Sequence, residues 1–233
     1  AVGAAALAAN TTATGGVGIG YRALNVNTTG ANNTAVGYDS LLANTTGTNN
    51  VAIGKDALDS NTTGSNNTAL GVDTLQANTT ASDSTALGHG ALAVSTGASN
   101  TAVGKYALVA NTTGNANVAV GNVSLDANTS GERNTAIGAE ALGHNTTASA
   151  NSAVGYKALF ENTTGDNCTA VGTSALGKNT TGSDNVAVGR NSQDANTDGH
   201  SNTSVGESSL TTNTTGIRNT SIGRDSMVSN STG

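Results

Sequence analysis

The chain lacks the residues from which most enzyme cores are built. Its 233 residues include no Pro, no Trp, one Cys, one Met and one Phe, and aromatic residues make up only 2%. Aromatic side chains supply much of the apolar area of a typical core, so their scarcity argues against an ordinary globular enzyme. The lone Cys168 cannot form a disulfide within the chain.

Charge is also scarce. Nine Lys and Arg residues and fifteen Asp and Glu residues give a net charge of −6, and neither sign forms a cluster. Nucleic-acid binding needs clustered cations to neutralise phosphates, so no nucleic-acid partner is expected. No apolar run approaches the length of a membrane-spanning segment, and no membrane span is expected in this chain.

What the chain does contain is a repeat. A glycine preceded by Val, Ile or Leu recurs every seventeen residues, with one spacing of sixteen between Gly88 and Gly104. The fourteen glycines are Gly3, Gly20, Gly37, Gly54, Gly71, Gly88, Gly104, Gly121, Gly138, Gly155, Gly172, Gly189, Gly206 and Gly223. A fixed period that spans the whole chain is the signature of a repeat architecture. The sequence therefore predicts a single repeat domain over residues 1–233.

Two apolar columns run through the repeat. The first is the aliphatic residue before each glycine, and the second is a Leu four residues after it in twelve of fourteen units. We expect both columns to form the core. Representative members are Val36, Ile53, Leu70, Leu87, Val103, Val120, Ile137, Val154, Val171 and Val188, with Leu41, Leu58, Leu75, Leu108 and Leu125. The predicted structural glycines include Gly37, Gly54, Gly71, Gly88, Gly104 and Gly121.

The repeat unit favours strands over helices. It contains Gly, Asn and Thr clusters and no apolar set at helical spacing, whereas N-T-A-V-G alternates as a strand does. A second extended piece is predicted around residues 41–46. The predicted fold is all-β, a β-solenoid or β-roll of about fourteen seventeen-residue coils, in which Asn side chains stack as ladders.

The small predicted core indicates an oligomer. Each coil offers two bulky apolar residues and a few alanines, which is little to set against about 1–2 kcal/mol of backbone entropy per ordered residue. We therefore predict a parallel homotrimeric fibre whose chains share apolar columns. Because neither end carries an atypical capping unit, we expect the chain to be an excerpt of a longer fibre, the alternative being a filament formed by end stacking.

The repeated kernel has a family resemblance. NVAIG at Asn50–Gly54, and NVAVG at Asn117–Gly121 and Asn185–Gly189, resembles the head repeat of trimeric autotransporter adhesins. It is also similar to NTAVGxxALxxNTTGxN repeats of bacterial surface fibres and phage tail-fibre-like proteins. The resemblance implies a trimer of parallel β-rolls with a structural and adhesive role. The period differs, because the adhesin head repeat is usually shorter than seventeen residues.

Few residues suggest chemistry. Gly15–Gly20 superficially matches a phosphate-binding loop, but it reads as the second repeat with extra glycines. His89, His144 and His200 fall in different columns of distant coils, and no metal or catalytic site is expected from them. Asp39, Asp56 and Asp73 share one column below Arg22, which predicts a weak cation site or, alternatively, a solvated acidic stripe.

Two further patterns could mediate surface contacts. Tyr21, Tyr38, Tyr106 and Tyr156 lie at outward positions and are candidates for contact with a host-surface glycan or receptor. Exposed aromatic rings can stack on sugars or on a partner surface, and the alternative is that such sparse aromatics have no shared role. Asn44, Asn61, Asn111 and Asn162 begin N-x-T patterns, which are glycosylation acceptors only where the modifying enzymes are present.

These observations lead to one functional hypothesis and one alternative. The first is an extracellular structural or adhesive fibre segment, on a cell surface or a virion appendage, that acts as a spacer or attachment surface. The alternative is an ice-binding β-solenoid, since flat Thr-rich faces suit that role. No enzyme activity and no cofactor are expected, because no catalytic or cofactor motif interrupts the repeat.

Overall fold

The protein is an all-β parallel β-solenoid. A computed structural model describes residues 1–232 and contains no helix in that range. The chain divides into two compact units, Ala1–Ala116 and Asn117–Gly233, called here the first and second unit. The predicted fold class is confirmed in both units, while the assembly of chains and the single-domain boundary stay predictions.

Each coil contributes one short strand. The first unit contains β1 (Val17–Ile19), β2 (Thr34–Val36), β3 (Val51–Ile53), β4 (Thr68–Leu70), β5 (Thr85–Leu87) and β6 (Thr101–Val103). The second contains β7 (Val118–Val120), β8 (Thr135–Ile137), β9 (Ser152–Val154), β10 (Thr169–Val171), β11 (Val186–Val188), β12 (Thr203–Val205) and β13 (Thr220–Ile222). The described chain thus has thirteen strands rather than fourteen, since the coil at Val2 makes only an isolated parallel bridge to Ile19.

Parallel pairing keeps identical positions in register. Thr34 pairs with Val51 and Ala35 with Ala52, an offset of one repeat. Across the short coil Thr85 pairs with Thr101, an offset of sixteen. Because the shortening falls in the turn between these strands, the register of the ladder is preserved.

The strand side predicted to face inward faces outward. The middle Ala of the strand is fully buried, whereas Ile53 and Leu70 are 36% and 41% exposed. The prediction that the residue before each glycine belongs to the core was therefore wrong. The residues concerned are half-exposed or exposed: Val36, Ile53, Leu70, Leu87, Val103, Val120, Ile137, Val154, Val171 and Val188.

The reason for this inversion is the width of the interior. A Cβ added at Gly18, a middle strand position, would lie 3.3 Å from Leu7 Cγ. The Leu column already fills the space opposite the strand, so only a methyl group fits between them. Alternation correctly predicted that the first and third strand residues share a face, but it does not say which face is inside.

The Leu column does form the core. Leu41, Leu58, Leu75, Leu108 and Leu125 are fully buried. All five have φ between 48° and 52°, a left-handed conformation that costs an L-residue roughly 1–2 kcal/mol. The neighbouring coil holds this conformation in place, as when Leu41 N donates to Ala57 O at 2.9 Å. Residues 41–43 lie in a turn and 45–46 in a bend, so the predicted second extended piece is absent.

Asparagine supplies the other half of the interior. Asn44 Nδ2 donates to Asn27 Oδ1 at 2.6 Å and to Gly47 O at 3.0 Å. Asn61 repeats the pattern one coil later, with Nδ2 donating to Asn44 Oδ1 at 2.9 Å. The predicted Asn ladders are confirmed, and they are fully buried rather than superficial. They satisfy turn carbonyls that would otherwise be buried without partners.

The repeated glycine is required for two reasons. Gly54 has φ +140°, and a Cβ there would lie 2.2 Å from Gly71 O on the next coil. Any side chain would therefore be strained and would collide with backbone. The six predicted structural glycines, Gly37, Gly54, Gly71, Gly88, Gly104 and Gly121, all have φ between 122° and 142°.

Candidate functional site

The outward side of the strands forms an uncharged surface with one continuous aliphatic column in each unit. We call it the sheet face and define it as the first and third residues of β1–β6 in the first unit and of β7–β13 in the second. The third column is aliphatic throughout, and Leu87 and Ile137 are 40% and 41% exposed. Exposed apolar residues aligned in this way are unusual on a monomeric protein and mark contact surfaces.

The first column of the sheet face is mainly threonine. Its threonines are Thr34, Thr68, Thr85 and Thr101 in the first unit and Thr135, Thr169, Thr203 and Thr220 in the second. Val or Ser takes the remaining positions, and no strand residue is charged. Neighbouring strands lie about 4.8 Å apart, so the hydroxyl and methyl groups form a regular array.

The tyrosines are not brought together into one surface. Tyr21 and Tyr38 stack on each other with ring centroids 5.2 Å apart, and Arg22 lies 5.2 Å from the Tyr21 ring centre. Their faces are thus partly covered. In the first unit Tyr106 instead packs edge-on against His89 at 5.0 Å, and in the second Tyr156 lies beside Lys157.

The acidic column does not form a cation site. Asp39 accepts a hydrogen bond from Arg22 Nε at 2.8 Å. Asp56 pairs with Lys55, and Asp73 lies 3.9 Å from His89 Nε2. Among residues 1–232 no group of three or more His, Cys, Asp or Glu side chains could hold a metal ion. The cation site predicted at Asp39, Asp56 and Asp73 is therefore not supported, because Arg22 and Lys55 already pair with the first two carboxylates.

Backbone conformation explains why Asp occurs in this column. Asp39, Asp56 and Asp73 have φ between 53° and 56°. Asp and Asn tolerate this left-handed region better than most residues. The hydrogen bond that Lys55 donates to Asp56 raises the pKa of the lysine, and the hydrogen bond from Arg22 to Asp39 raises the pKa of the arginine in the same way. The column therefore serves the turn and its local charge pairs.

Other sequence candidates also lie in structural roles. Gly18 of the Gly15–Gly20 segment is in β1, and no helix follows it in the described chain, so no phosphate-binding loop is formed. Asn44, Asn61, Asn111 and Asn162 are fully buried, which leaves their amides inaccessible to a glycosylating enzyme in the folded chain.

Sequence reasoning missed a groove in the second unit. It has a volume of about 200 Å³ and is lined by Lys157, Phe160, Glu161, Ser174, Gly177, Lys178 and Asp194. Phe160 is the only Phe in the chain, and it follows the core residue Leu159. The same column has glycine on both adjacent coils, at Gly143 and Gly177. That isolated aromatic between two glycines is the pattern that could have revealed the groove.

Comparisons with known proteins add no family. No family model, curated protein or solved structure matches the chain. In the part of the chain that the structure describes, no helix has the length and apolar character needed to cross a membrane. The functional argument therefore rests on the sheet face and the groove.

Proposed function

We propose that this chain is a structural segment of an extracellular fibre, in which copies pack together along their sheet faces. The observation that carries this proposal is the uncharged, apolar sheet face with its unbroken aliphatic column. Burial of such a surface contributes roughly 25 cal/mol per Å² of apolar area, and a repeated column multiplies the gain. Association of copies would supply the apolar burial that a single coil lacks.

A parallel trimer is the assembly we favour. The resemblance of the NVAIG kernel to trimeric adhesin heads supports three copies. The geometry supports shared columns, because parallel, in-register coils present the same residues at the same height on each copy. A parallel trimer would have closed threefold rotational symmetry, with the same surface of each chain facing the common axis. End stacking into filaments is the alternative assembly.

The fibre would serve as a spacer and an attachment surface. Repeated backbone pairing between stacked coils would make the fibre stiff, and the number of repeats would set its length. Many weak contacts along the fibre would give avidity towards a host-surface glycan or receptor without one deep pocket. This role requires a cell-surface or virion location and no catalytic activity.

The assembly is tested by its mass in solution. Multi-angle light scattering should give three times the 22.5 kDa chain mass. A Leu70→Lys, Leu87→Lys double variant should be monomeric, since two ammonium groups would be buried in the interface. Val72→Lys is the matched control, because Val72 is 39% exposed but lies off the sheet face, in the column occupied by Lys55. A monomeric wild-type chain would contradict the proposal.

Ice binding is the second candidate, supported by the threonine column of the sheet face. Here the same surface would stay exposed on a monomer and contact an ice lattice through hydroxyl and methyl groups. A monomeric chain should then show thermal hysteresis that is lost in Thr68→Lys, Thr85→Lys. The control, Thr63→Lys, changes an exposed turn threonine outside the face. A chain that freezes as buffer does would remove this candidate.

A further inference from the structure

The groove in the second unit is open on one side of Phe160. On the other side the ring packs closely, since a Cβ at Gly143 would lie 2.8 Å from Phe160 Cε2 and the His144 ring centre is 4.3 Å away. On the open side Gly177 contributes no side chain, and the atom nearest to a Cβ added there is the carboxylate oxygen Asp194 Oδ1 at 2.7 Å. The absence of a side chain at Gly177 therefore creates the space.

Other coils show that this space is optional for the fold. The equivalent position carries Leu42, Gln76 and Val109 in the first unit, so the column accepts large side chains. Gly177 also has no left-handed φ to maintain, unlike the repeated glycines. Glycine at this position is thus not demanded by the backbone.

Charged groups of both signs surround the apolar floor. Lys157 Nζ lies 4.9 Å from the centre of the Phe160 ring and 3.3 Å from Glu140 Oε2. Lys178 Nζ lies 3.8 Å from Asp194 Oδ2. Glu161 Oε2 is 2.9 Å from His144 Nδ1. The groove therefore offers ammonium donors and carboxylate acceptors without a large net charge.

We propose that this groove binds a neutral pyranose ring. A pyranose has an apolar C–H face that packs on an aromatic ring, and hydroxyls that both donate and accept hydrogen bonds. Its hydroxyls would donate to Asp194 and Glu161 and accept from Lys178. An inorganic anion would use only the lysines, and an apolar ligand would form no hydrogen bond to any of the four charged side chains. The site would supply a sugar ligand for the adhesive role proposed above. Its biological purpose rests on that role, whereas the binding itself does not.

The single Phe provides a direct assay. A sample with labelled phenylalanine gives ring signals from Phe160 alone, and these are followed by NMR during titration with methyl glucoside, methyl galactoside and methyl mannoside. Sugar concentrations reach about 10 mM, where millimolar binding is detectable. Sorbitol is the comparison, because it has hydroxyls but no pyranose face. We expect shifts with at least one pyranoside and none with sorbitol.

Variants locate the binding. Gly177→Leu should weaken it at least tenfold by filling the groove, and Lys178→Ala should weaken it while changing only an exposed side chain. Ala93→Leu, at the same column position in the first unit, should leave it unchanged. The proposal is overturned if no pyranoside shifts the Phe160 signals, if sorbitol shifts them equally, or if both groove variants bind as the wild type does. Light-scattering mass on the same samples separates this result from the fibre proposal, because assembly and sugar binding can each fail alone.

Discussion

At the residue scale, the asparagines stabilise the interior of the solenoid, although their polarity suggests surface positions. Asn61 donates to Asn44 Oδ1 and to Gly64 O, and it accepts from Asn78 Nδ2, with all three distances between 2.9 and 3.0 Å. From the sequence alone, the N-x-T pattern is equally consistent with an exposed glycosylation acceptor. Only the three-dimensional stacking shows that the amide is buried and fully bonded.

Replacing Asn61 should therefore be costly. Asn61→Ala removes three buried hydrogen bonds and leaves Asn44 Oδ1 without its donor, while Gly64 O and Asn78 Nδ2 each keep one other partner. An unpaired buried polar group costs roughly 1–3 kcal/mol, so with the two further bonds lost we expect a destabilisation of about 3 kcal/mol. Thr63→Ala, an exposed change in the next turn, should stay within about 0.5 kcal/mol. Thermal unfolding followed by circular dichroism gives both values. Equal melting points for the two variants would show that the ladder contributes little.

Cys168 stands where the neighbouring coils have Asn151 and Asn185, immediately before the strand, and it should be unreactive. Its side chain is 1% exposed, and burial raises the pKa of its thiol to about 11. Since only the thiolate is nucleophilic, the folded protein holds an inert, neutral thiol at pH 8. Iodoacetamide should label the native chain at least a hundredfold more slowly than the chain in urea. Labelling at comparable rates would mean that this coil opens readily.

At the element scale, the limits of prediction are visible in a single strand. The T-A-V pattern predicted a strand whose first and third residues share one face, and β2 has both properties. It did not predict that Ala35 faces inward, because all three residues are compatible with a core. What decides the orientation is Leu packing from the opposite turn, where a positive φ places Leu41 under the strand. Such a conformation is not evident from a Leu in a sequence.

This orientation has a test within β4. Ala69→Leu should destabilise the chain by at least 1–3 kcal/mol, because the buried position has no room for three more carbons. Leu70→Ala removes a side chain that is 41% exposed and should cost about 1 kcal/mol. Both are measured by thermal unfolding at concentrations where the chain is monomeric, so that assembly does not contribute. If Leu70→Ala destabilised the chain more than Ala69→Leu, the aliphatic residue and not the alanine would be the core residue of the strand.

At the scale of the whole molecule, the seventeen-residue period was the most predictable feature, and the groove the least. The period is written in fourteen copies and fixes which residues stack. The groove depends on Phe160, Gly143 and Gly177, which lie in a column where the residue type changes from coil to coil and therefore departs from the repeat. A search for residues shared by all repeats does not reveal such departures, although the groove is built from them.

The period itself can be tested by removing residues. Deleting 51–67 takes out one whole coil and joins Asn50 to Thr68, so every later side chain keeps its column. We expect this variant to fold and to melt within a few degrees of the wild type, because stability in such arrays is a sum over neighbouring repeats.

Deleting only 51–59 removes about half a coil and is the matched comparison. It places Leu and Asn columns of the two flanking coils out of register, so buried amides would meet apolar side chains without hydrogen-bond partners. We expect this shorter deletion to abolish the cooperative unfolding transition measured by circular dichroism. If it instead folds as well as the longer deletion, the columns are not what holds the coils together.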